Sequence, residues 1–238
     1  MTVSTLTQNN TAEPLILVRG VGKTYLRGQE RVEALCGVDL DVQAGAFVIL
    51  MGPSGCGKST LLHLLGGIDR PSAGTISVAG IMLDQASEDE LTRFRREQIG
   101  FVFQFYNLLP SIDALENTAL PLLAKGVRRD EAWRMAGLLL MQVGLAERSK
   151  HKPGQLSGGE QQRVAIARAM ATNPRLVLAD EPTGDLDAAG AEGVMRLMRE
   201  FNHNQGTTFV IATHNERLAQ PGDRIFDLRS GQMIGERC

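Results

Sequence analysis

Gly52-Pro53-Ser54-Gly55-Cys56-Gly57-Lys58-Ser59-Thr60 decides the fold of this chain. The apolar, β-prone run Phe47-Val48-Ile49-Leu50-Met51 precedes it, and Leu61-Leu62-His63-Leu64-Leu65, which reads as helix, follows it. A strand feeding a Gly-rich loop that opens a helix is the context a phosphate-binding P-loop requires. The glycines allow backbone dihedrals that a larger residue resists, and they let successive N–H groups turn inward on an anion. The helix start adds free N–H groups and the positive end of its dipole. In such a loop Lys58 reaches the β- and γ-phosphates and the Ser59 hydroxyl sits on Mg²⁺. The stretch from Gly52 to Thr60 therefore predicts a nucleoside triphosphate site.

The bulk composition narrows the setting. A chain of 238 residues that is 43% hydrophobic can bury a real core, as one large domain or a domain with a small subdomain. Formal net charge is -2, from 25 basic and 27 acidic side chains, so no basic surplus points to nucleic acid. Cys36, Cys56 and Cys238 are far apart and odd in number, which suits a reducing compartment better than a disulfide framework. Met1 to Pro14 has neither a basic n-region nor an apolar h-region, and no run approaches a membrane span. The expectation is a cytosolic protein that reaches a membrane only through a partner.

Working outward, residues 1–13 read as a flexible tail and 14–238 as the folded unit. Leu15 to Val18 is a first strand, Leu26 to Arg31 a hairpin loop, and Val32 to Val42 a returning strand or strand pair broken near Gly37. Val38, Leu40 and Val42 alternate with polar residues, so one face is buried. After the P-loop helix come a strand at Thr75 to Ala79, a helix opened by Ser87 with acids in its first turn, and a strand at Ile99 to Phe103. From Asn107 the period changes: Ile112 to Leu123, with Pro121 ending or kinking it, Arg128 to Val143 and Leu156 to Ala171 read as helices. A helical stretch at about 105–170 inserted between strands suggests a subdomain. Buried strands then resume at Arg175 to Glu181 and Thr207 to Thr213, separated by a helix from Ala188 to Phe201, and a hairpin closes the chain at Arg224 to Ile234.

Five places outside the P-loop are candidates to carry chemistry. Asp180 and Glu181 end a buried strand, where open α/β sheets place ligands: Asp180 can hold Mg²⁺ with Ser59, and Glu181 can orient or deprotonate an attacking water. That division needs Glu181 just past the regular strand, because strand neighbours face opposite sides. Gln104 ends another strand, where its amide reaches the metal or the water, or simply packs. Leu156-Ser157-Gly158-Gly159-Glu160 has the look of a capping box, Ser157 with Glu160. Two glycines in a first helical turn cost stability, and close approach of a phosphate to bare N–H groups explains them better. His214 follows the last buried strand, where it is either structural or a γ-phosphate contact that keeps Glu181 in register. Tyr25 is either a half-buried strand aromatic or a platform for a base.

Together these residues resemble the nucleotide-binding subunit of an ABC (ATP-binding cassette) transporter, over roughly Leu15 to Glu236. Gly52 to Thr60 matches the family's Walker A motif, Leu176 to Glu181 its Walker B motif and Leu156 to Gln161 its signature motif. Tyr25 falls at its base-stacking aromatic, Gln104 at its Q-loop and His214 at its switch histidine. Gly184-Asp185-Leu186-Asp187 falls at the D-loop, with Asp187 matching and Asp185 a mild departure. The resemblance implies an α/β P-loop NTPase core with an N-terminal antiparallel β portion and a helical signature subdomain. It implies ATP and Mg²⁺ as cofactors, with Glu181, His214 and Gln104 catalytic and Ser59, Gln104 and Asp180 around the metal. It further implies a head-to-tail homodimer in the ATP state, in which Ser157, Gly158, Gly159 and Glu160 complete the partner's site and Asp187 couples the two.

A narrower resemblance, carried by Phe103 to Pro110, Glu116-Asn117, Leu120-Pro121-Leu122 and Ala179 to Gly184, is to a bacterial branch of lipoprotein-release and macrolide-export ATPases. It implies integral membrane permease subunits docked near Gln104 to Leu109 on the inner face of the cell membrane. Those permease subunits leave a place for a periplasmic or extracytoplasmic adaptor. The competing expectation is a non-transport ABC ATPase, a regulatory or structural scaffold of cell-division or repair type. A chromosome-type coiled-coil insert is absent from the sequence.

Overall fold

The structure, a computed structural model, describes residues 13–28 and 30–237. Apart from Glu13, the expected tail lies outside the described residues. An antiparallel sheet of order β2-β1-β4-β5 is built from β1 (Ile16–Arg27), β2 (Glu30–Val42), β4 (Ala73–Val78) and β5 (Ile81–Met82). A second sheet has the order β10-β9-β3-β8-β7-β6, from β3 (Phe47–Met51), β6 (Ile99–Phe103), β7 (Leu176–Asp180), β8 (Thr208–Thr213), β9 (Arg224–Arg229) and β10 (Gln232–Arg237). Its strands run parallel except β10, which closes a hairpin with β9.

The buried strands of the second sheet are apolar throughout, yet they still sort their side chains with period two. Val48 and Leu50, Leu176 and Leu178, and Val210 and Ala212 face one core, shared with the antiparallel sheet, α1 (Lys58–Leu65) and α2 (Glu88–Gln98). Phe47, Ile49 and Met51, Val177 and Ala179, and Phe209 and Ile211 face the other, under α5 (Gly158–Met170) and α6 (Ala188–Gln205). Helices α3 (Ala114–Ala124) and α4 (Arg129–Gln142) pack on each other through Ala119, Leu122, Ala132 and Ala136, with Ala171 beside them.

Three local readings change. The hairpin loop is shorter than its polarity suggests, because β1 runs to Arg27 and β2 starts at Glu30, with Leu26 paired to Arg31. β2 is one strand: the irregularity near Gly37 is a bulge, where pairing steps from Lys23–Leu35 to Val21–Val38. Pro121 does not end α3, which runs on to Ala124; the buried Ala119 and Leu122 hold that turn against α4, and the Lys125 N–H donates to the Pro121 carbonyl at 3.0 Å.

Because β3, β6, β7 and β8 are parallel, their carboxyl ends share one edge of the sheet. The P-loop, Gln104, Asp180-Glu181 and His214 all lie at or just past those ends, which brings them to that one edge.

Candidate functional site

The loop after β3 is a cradle built tightly enough to specify glycine. Gly57, the residue before α1, has φ of 109°, and a Cβ there would lie 2.5 Å from the Ala34 carbonyl oxygen. Lys58 is buried and donates from Nζ to the carbonyls of Gly52 (2.7 Å) and Pro53 (3.1 Å), so the ammonium already lies across the loop. The cleft holds about 240 Å³ and is lined by Ala34, Ser54, Gly55, Gly57, Lys58, Ser59, Thr60 and Glu181. Ala34, on β2, is a wall that no local motif announces. The Cys56 thiol is buried in the α1-side core, with its sulfur beside Gly52, so only the backbone of Cys56 is available to a phosphate.

Asp180 and Glu181 divide as their neighbours on β7 require. Asp180 shares the face of Leu176 and Leu178, the α1 side of the sheet, where Ser59 opens the helix. Its Oδ1 is buried without a hydrogen-bond partner among the described residues, an unmet need that a bound cation would satisfy. Glu181 lies one residue past β7 with φ of 44°, a left-handed conformation uncommon outside glycine. That turn breaks the strand alternation, and the Glu181 N–H is held by the Ala212 carbonyl at 2.9 Å. The carboxylate then stands 3.1 Å through each oxygen from His214 Nδ1 and 3.6 Å from Lys58 Nζ. The base candidate, the histidine and the P-loop lysine, far apart in sequence, form one contiguous group.

Gln104 follows β6 at the same edge, but its side chain lies against Gly184: a Cβ on that glycine would meet Gln104 Nε2 at 3.0 Å. The segment after it is strained and pinned. Tyr106 and Asn107 have φ of 59° and 48°, and the Arg168 guanidinium of α5 donates to both of their carbonyls, at 2.7 Å for Tyr106. Burial lowers the pKa of Arg168 from its ordinary value. Asn117 is fully buried and fixes the next stretch. Its Oδ1 accepts from the Leu109 N–H at 2.8 Å and its Nδ2 donates to the carbonyls of Leu109, Ile112 and Asp113. With both loop ends held inward, Phe105 and Leu109 remain 71% and 47% exposed. Beside them runs a groove of about 570 Å³ whose lining includes Arg95, Arg96, Phe101, Phe103, Pro121, Ala124 and Arg168.

Ser157 caps α5 as its sequence predicts: its hydroxyl accepts from the Glu160 N–H at 3.3 Å, and the Glu160 carboxylate accepts from the Ser157 N–H at 2.8 Å. Hydrogen bonds from Ser157 and the nearby Arg148 and Arg163 hold the Glu160 pKa below the usual value. The two glycines differ. A Cβ on Gly158 would lie 2.8 Å from the Tyr106 hydroxyl, an internal reason for glycine, whereas Gly159 has only Arg163 within 4 Å. Asp187 caps α6, its Oδ1 accepting from the Gly190 N–H at 2.8 Å. Tyr25 stands beside Thr60, over a third exposed.

No helix among the described residues is long and apolar enough to cross a membrane. A family described as ABC transporter matches residues 35–184. A lipoprotein-releasing system ATP-binding protein LolD of Anaeromyxobacter dehalogenans is 50% identical over 226 residues, 94% of this chain and 95% of that protein. An uncharacterized ABC transporter ATP-binding protein of Methanocaldococcus jannaschii, MJ0796, is 46% identical over 226 residues, 93% of this chain and 96% of that protein. Among solved structures, the dimeric post-hydrolysis state of that cassette, bound to ADP and Pi, is similar with a TM-score of 0.87 and 43% identity, over 93% of this chain and 97% of that chain.

Proposed function

The chain belongs to the ABC transporter family as an ATP-binding, ATP-hydrolysing subunit, and on that premise we propose that two copies close head to tail over two ATP molecules to drive a membrane-embedded envelope machine. The observation that carries the reading is the contiguous Lys58, Glu181 and His214 group beside the P-loop. ATP is the substrate. Its phosphates replace the loop carbonyls as partners of Lys58, and the base lies toward Tyr25. Ser59 and Asp180, with Gln104 swung off Gly184, would hold Mg²⁺, which would supply positive charge to offset that of the phosphates. Glu181 orients the attacking water and accepts its proton, and His214 holds that carboxylate and the γ-phosphate in register. Ser157, Gly158, Gly159 and Glu160 close the site of the partner copy, with Asp187 at the seam. A Cβ on Gly159 would meet only Arg163 within 4 Å, so the backbone at this helix start can be approached by an anion delivered from outside the chain.

The closed state binds ATP more tightly than ADP, so hydrolysis releases it; only that differential affinity shifts the equilibrium. In this reading membrane subunits press on the groove beside Phe105 and Leu109, and the protein works on the inner face of the membrane through those partners; the groove and the two exposed apolar side chains support it. The bacterial relative's name points to lipoprotein release, and the proposal holds the cargo at that class. The test is capture from native membranes. The Glu181→Gln protein is tagged, membranes are solubilised in mild detergent with ATP and Mg²⁺, and the bound proteins are identified. A membrane protein with few spans and a large external domain supports the reading. Only soluble or DNA-associated partners, with the protein absent from membranes, would overturn it in favour of the scaffold.

A further inference from the structure

Tyr25 does not stand alone. Its hydroxyl donates to Asp69 Oδ2 at 2.8 Å, and Lys23, two residues earlier on the same face of β1, donates from Nζ to Asp69 Oδ1 at 2.6 Å and to the Arg70 carbonyl at 2.7 Å. The same ammonium lies 4.9 Å from the centre of the Tyr25 ring, over one face of it. Asp69 is four residues past the end of α1, so it ties the far end of the P-loop helix to the antiparallel sheet. The Arg70 N–H also donates to it, at 2.7 Å.

We propose that Asp69 is a positioning residue for nucleotide binding: with Lys23 it fixes the Tyr25 ring as a one-sided platform for the base. The inference rests on the reading of Tyr25 as the base platform. Three features carry it. A phenol committed to Asp69 is held by its far end, so the ring loses the swing that an exposed tyrosine otherwise has. Lys23 occupies one face, which leaves the other for a planar ligand. The anchor hangs from the P-loop helix, so ring and phosphate cradle keep a constant separation whatever the sheet does. A platform that is set before the ligand arrives spares the ligand the cost of ordering it. The protonation states agree. Burial and the neighbouring carboxylate raise the Tyr25 pKa, which keeps it a donor. Burial works against ionised Asp69, but the bonds from Lys23, Tyr25 and the Arg70 N–H outweigh it and lower its pKa.

The test uses the full chain and steady-state ATPase assays on wild type, Asp69→Ala, Tyr25→Ala and the double variant. Inhibition by inorganic tripolyphosphate, which has phosphates but no base, is measured in parallel. Asp69→Ala is expected to raise KM for ATP about three- to tenfold with kcat within a factor of two, and to leave tripolyphosphate inhibition unchanged. Tyr25→Ala is expected to raise KM about tenfold or more, consistent with base–aromatic stacking, and the double variant to match it. If Tyr25→Ala raises KM and Asp69→Ala does not, the inference is overturned and the platform reading stands. If neither changes KM, the platform reading falls and takes the inference with it. An equal loss of tripolyphosphate inhibition in Asp69→Ala would also overturn it, because Asp69 would then act on the P-loop itself.

Discussion

Replacing Glu181 with Gln separates ATP binding from turnover in this chain. The amide keeps the shape but cannot accept the proton of an attacking water. Loss of a general base costs ~10²- to 10⁴-fold in rate, or about 3–5 kcal/mol of transition-state stabilisation. Binding moves the other way. Lys58 Nζ lies 3.6 Å from the carboxylate. At an effective dielectric constant of about 20 that attraction is about 4–5 kcal/mol before desolvation is subtracted. ATP must compete with it for Lys58, and the carboxylate also repels the γ-phosphate. Neutralising Glu181 removes both oppositions, so ATP binding is expected to be as tight as in wild type or tighter, and ATP-dependent dimers are expected to persist. Among the described residues the hydrogen bonds of the His214 ring go to that carboxylate alone, so His214→Ala is expected to slow turnover, and the double variant to be no slower than Glu181→Gln, since residues acting as a unit do not add. Phosphate release gives the rate, equilibrium dialysis with Mg-ATP the affinity, and light scattering the dimer. Turnover within tenfold of wild type, or ATP binding weakened more than tenfold, would refute the assignment of Glu181.

Three further outcomes follow from the same geometry. Ser157→Arg is expected to spare monomer nucleotide binding and abolish ATP-dependent dimerisation; unchanged scattering on ATP addition would count against a site completed in trans. Gly231→Ala is expected to cost about 1–3 kcal/mol in urea unfolding, because its φ is 76° and a Cβ would lie 2.9 Å from the Ala34 carbonyl. This glycine bonds the P-loop through the Cys56 carbonyl and β2 through the Cys36 N–H, so nucleotide binding is expected to weaken as well, and a loss below 0.5 kcal/mol would contradict it. Glu160 has a folded pKa below its unfolded one, so its contribution is fully present above the unfolded value near 4.3 and is lost as pH falls through the folded value. The melting-temperature gap between wild type and Glu160→Ala is therefore expected at pH 7 and expected to narrow in acid; a gap that does not change between pH 7 and pH 3 would refute it.

What the sequence revealed and what it hid divide along a physical line. Strand alternation at Val38, Leu40 and Val42, the buried runs of β7 and β8, the helix start at Ser87, the capping box at Ser157 and the P-loop are local patterns, and local patterns survive reading in one dimension. The hairpin tip was misjudged because β1 and β2 extend beyond the core into solvent, where polar residues look like loop. The partners of Asp69, Asn117 and Arg168 could not be read, because each bond joins segments distant in sequence or spends a side chain on backbone carbonyls, which have no residue type. The chemistry assigned to Glu181 required it to lie just past the regular strand, but nothing in Asp-Glu-Pro announces the positive φ that achieves this.

The contacts around Gly158 bear on why one copy is only part of a machine. The Ser157 hydroxyl and the Glu160 carboxylate are both engaged in their own helix cap, and a Cβ on Gly159 would meet only Arg163 within 4 Å, so that side of the turn is left open. Yet the same turn is backed by Tyr106, whose carbonyl is held by Arg168, and Arg168 and Asn107 line the exposed groove. A load on the groove therefore meets, through packed and hydrogen-bonded groups, the turn that would close over a second copy's nucleotide. Tyr106 and Asn107 sit in left-handed conformations, which puts the link under strain at Tyr106 above all. Closure by ATP and pressure from a docked partner would then bias the same few residues, and each would alter the other's affinity by an equal factor. That reciprocity is not confined to transport, because it holds for the scaffold reading too: any protein that grips the groove more tightly in one state than in the other must change how tightly this chain holds ATP.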